Sequence, residues 1–63
     1  MYLVIYKDCV LFTTSNKIDA AAFIRKYADE RKWEFWQQIS GFGRSQYIFY
    51  DVKDYYSLSI IKD

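Results

Sequence analysis

The chain has 63 residues, which allows one domain and sits near the lower size at which a core holds without disulfides or metals. More than half of the residues are hydrophobic (52%) and 22% are aromatic, which excludes a disordered segment. Nine basic against eight acidic residues leave a net charge of +1, so bulk electrostatics does not call for a nucleic-acid ligand.

The chain contains no histidine, which removes the usual general base near neutral pH and the commonest metal ligand. Catalysis, a metal and a cofactor are therefore not expected. Asp29, Glu30 and Glu34 fall close together in sequence, and that spacing reads as a solvated face. A single cysteine, Cys9, cannot form an internal disulfide and reads as a small hydrophobe on a strand. With no apolar run of roughly 18 residues and no signal peptide, the expected location is a reducing cytoplasm, with no membrane partner.

Taken in chain order, Tyr2-Leu3-Val4-Ile5-Tyr6 reads as a strand, with Leu3 and Ile5 on one side and Tyr2, Val4 and Tyr6 on the other. A second strand over residues 9–14 completes a hairpin across Lys7-Asp8, although that pair lacks the Asn-Gly or Asp-Gly signature of a tight turn. Val10 and Phe12 are expected beside Leu3 and Ile5.

The stretch from Asn16 to about Lys32 predicts a helix. Asn16 is a good N-cap, and Asp19 three residues later resembles a capping box. Ala20, Phe23, Ile24, Tyr27 and Ala28 form one apolar stripe at helical spacing.

Residues 33–40 suit either a helix extension or a strand. The aromatic crowding favours a strand with Trp33, Phe35 and Ile39 on one face. Gly41 to Ser45 reads as a loop, Gln46 to Val52 as a strand, Lys53-Asp54 as a turn, and Tyr55 to Ile61 as a last strand. In that last strand Tyr56, Leu58 and Ile60 share a face. Gly41-Phe42-Gly43 followed by Tyr47 faintly resembles the signature of the RNA-recognition motif. Ser40, Arg44 and Ser45 break the pattern and only one helix is expected, so the glycines read as hairpin residues.

The expected fold is α+β, a single domain over residues 1–63 in the order ββαβββ, with one amphipathic helix on one face of a small antiparallel sheet. The alternation suggests that this helix covers Leu3, Ile5, Val10, Phe12, Ile48 and Tyr50. Tyr2, Val4, Tyr6, Leu11, Tyr47, Phe49 and Tyr55 would then form an exposed face too apolar for a monomer. The candidate partner-binding residues are Tyr2, Tyr6, Trp36, Phe42, Arg44, Tyr47, Phe49 and Tyr55, because Tyr, Trp and Arg dominate interface hot spots.

A noncatalytic protein-binding module follows from this pattern. Its size and composition suit a phage or mobile-element inhibitor that blocks a host nucleic-acid-handling enzyme, such as restriction, CRISPR or transcription machinery. Alternatives are single-stranded nucleic-acid binding on an aromatic platform, which the neutral charge does not favour, and a structural homodimer.

Overall fold

The structure is a computed structural model that describes residues 1–63. Its elements are β1 (Tyr2–Tyr6), β2 (Cys9–Thr14), α1 (Lys17–Glu30), β3 (Glu34–Gly41), β4 (Arg44–Tyr50) and β5 (Tyr55–Lys62). The five strands form one antiparallel sheet in the order β2-β1-β5-β4-β3, with α1 packed against it. The ββαβββ, α+β reading is correct. The first and last strands pair in the middle of the sheet, with Val4 opposite Ile60.

The helix begins and ends through its own side chains and backbone. Asn16 caps it by accepting a 2.8 Å bond from the Ile18 amide. The reciprocal half of a capping box is replaced by Thr14, whose Oγ1 accepts from the Asn16 amide at 3.2 Å. At the other end Lys32 turns left-handed (φ 60). The Lys32 amide then bonds the Asp29 carbonyl and the Trp33 amide bonds the Ala28 carbonyl, the paired bonds of a Schellman motif.

Helix residues Ala20, Ile24 and Ala28, one turn apart, are the fully buried ones. The two alanines let the helix lie close to the sheet, and Ile24 fills the space between them. Beneath lie Val4, Leu58 and Ile60, with Phe49 completing the buried cluster. The apolar stripe is therefore as expected.

The face it covers is the opposite of the expected one. Val4 and Phe49 are buried under the helix, with Tyr2, Tyr6, Leu11 and Tyr47 packed around them, while Val10 is 54% exposed. The reason lies in β5, whose two faces differ most: Leu58 and Ile60 on one side, Ser57 and Ser59 on the other. Pairing carries that choice outward, because Val4 opposes Ile60 and Phe49 opposes Tyr56. Leu3, Ile5, Ile48 and Tyr50 consequently share the uncovered face.

Two bulges correct two further alternations. In β2 the register shifts at Leu11, so Phe12 opposes Val4 on the helix side and Val10 opposes Ile5 on the other. Phe12 then stacks on Phe23 of the helix, with centroids 4.6 Å apart. In β3 the shift falls at Trp36, so Phe35 opposes the buried Phe49 whereas Ile39 opposes Gln46 on the uncovered side. Trp33 precedes the strand instead of belonging to it.

The turns are tighter than expected. Lys7-Asp8 (φ 51 and 63) and Phe42-Gly43 (φ 51 and 74) are two-residue turns with both residues in the left-handed region, the backbone that matches strand twist. The β3–β4 loop thus shortens to Phe42-Gly43, and β4 starts at Arg44 and ends at Tyr50. Val52 lies in the next turn, fully exposed.

Candidate partner-binding surface

The helix packs mainly over β2, β1 and β5 and reaches Phe49 of β4, and it leaves β3 open on its own side. A groove of about 510 Å³ results between α1 and β3. Phe35, Tyr47 and Phe49 line it from the sheet, Ile24 and Ala21 from the helix, and Trp33 from the connecting segment. Arg25 and Asp29 stand on its helix wall, and neither is ion-paired.

The far face of the sheet carries no helix at all. Register places Leu3, Ile5, Ile48 and Ile61 across its middle, with Ser57, Ser59 and Gln46 between them. One corner is aromatic: Trp36 sits 5.3 Å from Tyr55, and Tyr55 lies 6.3 Å from Tyr50. These rings stay open to solvent, at 53% for Trp36, 64% for Tyr55 and 40% for Tyr50. Alternation from Phe35 already places Trp36 on this side, and the bulge there puts Gln37 and then Ile39 on the same side.

The sequence-derived candidates therefore separate into three groups. Trp36 and Tyr55 are together on the open face. Arg44 also belongs to that side by register, opposite Ile61, and Phe42 projects from the adjoining turn, fully exposed. Tyr2, Tyr6, Tyr47 and Phe49 lie on the helix side. Phe49 is only 5% exposed and serves the core, while Tyr47 forms part of the groove. Tyr50, Ile39 and Val10 were missed as candidates, although the serines of β5 carried the signal that would have found them.

Tyr6 instead joins an aromatic cluster that closes the helix C-terminus. Trp33 is its hub, stacked on Tyr56 with centroids 3.9 Å apart and planes 7° apart. Tyr6, Tyr27 and Phe49 surround it at 5.9, 5.8 and 6.3 Å. The Arg31 guanidinium lies 3.4 Å from the Tyr27 ring centroid and donates to the Tyr27 carbonyl at 3.1 Å.

Two groups titrate away from their ordinary values, and they bond each other. The Tyr56 hydroxyl donates to Asp51 Oδ2 at 2.7 Å, while the amides of Lys53 and Asp54 donate to Oδ1 at 2.8 and 2.9 Å. The hydroxyl first, and then the two amides, hold the Asp51 carboxyl below its usual 3.8. The same bond pushes Tyr56 up to about 12. The pair ties the β4–β5 turn to the strand that follows it.

A shallower pocket of about 230 Å³ lies at the opposite end, where Lys17, Lys62 and Tyr2 meet the Gly41–Ser45 turn. No three His, Cys, Asp or Glu residues are grouped to hold a metal, Cys9 is exposed and free, and no helix is long and apolar enough to cross a membrane. Compared with known proteins, the chain matches no family model, no curated protein and no solved structure.

Proposed function

We propose that the protein is a noncatalytic protein-binding module whose contact surface is the open sheet face, anchored at Trp36, Tyr50 and Tyr55. The observation that carries this reading is the aromatic corner itself. Trp36 and Tyr50 each lie against Tyr55, and the three rings remain 40–64% exposed beside Leu3, Ile5, Ile48 and Ile61. Such rings supply large, stiff contact area at small entropic cost, and Arg44 adds a cation at the opposite end of β4 for orientation. The strands beneath are joined by antiparallel ladders from β3 through β4 to β5, so the surface is formed before a partner arrives.

A narrower version is steric inhibition of a host nucleic-acid-handling enzyme. It rests on the chain's size and composition, and it adds one requirement: the captured protein must lose activity in proportion to occupancy. The experiment is capture from a host lysate by the wild type and by a Trp36→Ala/Tyr55→Ala variant, followed by reconstitution with the purified partner. At least a tenfold loss of affinity is expected for two anchors of about 1 kcal/mol or more each. Equal affinity of both forms for every reconstituted partner sinks the assigned surface.

A further inference from the structure

We infer that the free edge of β3 pairs antiparallel with β3 of a second copy, joining two sheets into one. The inference does not rest on the open-face reading, because it is argued from the edge of β3 alone; of that face's three anchors, only Trp36 lies on the paired strand.

Strand β3 is an outer strand of eight residues, and every one of them is exposed. From Phe35 to Gly41 it carries no charge and no proline, the devices by which edge strands are usually blunted. Its one bulge, at Trp36, disturbs the start of the strand and leaves Gln37–Gly41 in regular register.

Exposure falls equally on both sides of this strand. Phe35, on the helix side, is 56% exposed, while Trp36 and Ile39 on the other side are 53% and 50% exposed. A ligand in the groove would cover only Phe35, and a partner on the open face only Trp36 and Ile39. A neighbouring strand covers all three at once, and its backbone meets the outward row of amides and carbonyls.

Charge selects a second copy as that strand. Glu34 begins β3, and Arg44 stands beside Gly41 at its far end; neither forms an ion pair within the chain. Antiparallel self-pairing brings Glu34 of each copy alongside the Gly41–Arg44 turn of the other, so opposite charges meet at both ends. The interface is isologous, as a two-fold dimer requires. Facing residues in an antiparallel pair must share a sheet face. Centring the axis on Gln38 satisfies this: Gln38 opposes its own copy and Gln37 opposes Ile39, and with the bulged Trp36 outside the ladder Phe35 opposes Ser40 and Glu34 opposes Gly41.

Sedimentation equilibrium tests the inference, starting from a monomer of 7.7 kDa. The wild type is expected at twice that mass at concentrations of roughly 10–100 μM. Gln38→Lys places two ammonium groups against each other on the axis and should weaken association at least about tenfold. Glu34→Arg and Arg44→Glu should each weaken it several-fold, and the double exchange E34R/R44E should restore it. Unchanged far-UV circular dichroism and melting of the dilute monomers separate lost pairing from lost folding. Amide exchange should slow across Gln37–Ser40 as concentration rises.

A wild type that stays monomeric over that range overturns the inference, as does a dimer insensitive to Gln38→Lys. Open-ended oligomers also overturn it, because they would need the second sheet edge. So does a monomer that takes up a foreign extended peptide along β3.

Discussion

The two outer strands of this sheet both carry large apolar side chains and end in different circumstances. Strand β2 runs directly into the helix, which folds back over it; Phe12 stacks on Phe23, and Leu11 packs against the core. Strand β3 follows the helix, lies at the other margin of the sheet, and has no residue below the exposed class. A single 14-residue helix, about 21 Å long, packs mainly over β2, β1 and β5. Most of the molecule is thus a finished two-layer core that reaches Phe49 of β4, and the β3 margin is one layer thick. Apolar content does not distinguish them; cover does.

Substitutions that remove equal bulk from the two regions should separate them most. Leu58→Ala, in the finished core, is expected to cost about 3–4 kcal/mol because the side chain is fully enclosed. Ile39→Ala, in the single layer, should cost less than about 1 kcal/mol in the dilute monomer. Urea denaturation followed by circular dichroism measures both. Similar losses at the two positions would mean that the regions are not energetically distinct.

The two tryptophans sharpen the same contrast. Trp33→Ala removes the ring on which Tyr56, Tyr27, Tyr6 and Phe49 converge, and about 3 kcal/mol of stability should go with it. Trp36→Ala removes a ring of equal size from the open corner and should change the melting temperature of the dilute protein by only a few degrees.

Smaller effects come from the left-handed positions that connect the elements. Lys32→Gly relieves a side chain held at φ 60 while keeping the Schellman bonds, with an expected gain of about 0.5–1 kcal/mol in chemical denaturation. Exchanging Lys7-Asp8 for Asn-Gly should give a gain of the same order or slightly less, because the cation of Lys7 lies 5.4 Å from the Tyr6 ring centroid and that contact is lost.

The smallest expected effect is a change in the shape of the pH profile. Asp51 is held below 3.8, so its contribution is complete above that value and disappears as the pH falls through the lowered one. Tyr56 is raised from 10.0 to about 12, so its contribution is present below pH 10 and is lost as the pH climbs between those values. Asp51→Asn should flatten both limbs of a melting-temperature profile without moving its centre. A profile with both limbs unchanged removes the turn-locking role given to this pair.

Much of the fold can be read from the sequence, because the elements obey local rules. The helix announces itself by Asn16 and by the Ala20–Ala28 stripe, and the order of elements follows from strand-forming runs between turns. The buried face cannot be read from β1 or β4, where both sides are apolar. Only β5, with serines alternating against Leu58 and Ile60, carries the answer, and using it requires the register of three strands. The bulges at Leu11 and Trp36 are likewise invisible to period-two counting, and each reassigns a large side chain. That is why Trp36, Phe42, Arg44 and Tyr55 emerge at the surface as expected, whereas Phe49 belongs to the core. The left-handed Lys7 and Phe42 show turns whose geometry is imposed by the flanking ladders in place of glycine or asparagine.

The pairing of β1 with β5 has a consequence for the order in which this molecule assembles. Residues 2–30 form a hairpin and a helix, and residues 34–62 form a three-strand meander, each held mainly by neighbours in sequence. The ladder that joins them links Leu3 to Ile61 and Val4 to Ile60, nearly the full length of the chain apart. Until that ladder closes, Ile24 and Val4 have no Leu58 or Ile60 to rest on, so the hydrophobic gain arrives with the most distant contacts. Folding should therefore be slower than its short turns and single helix suggest, with the rate set by the search that brings the first strand to the last.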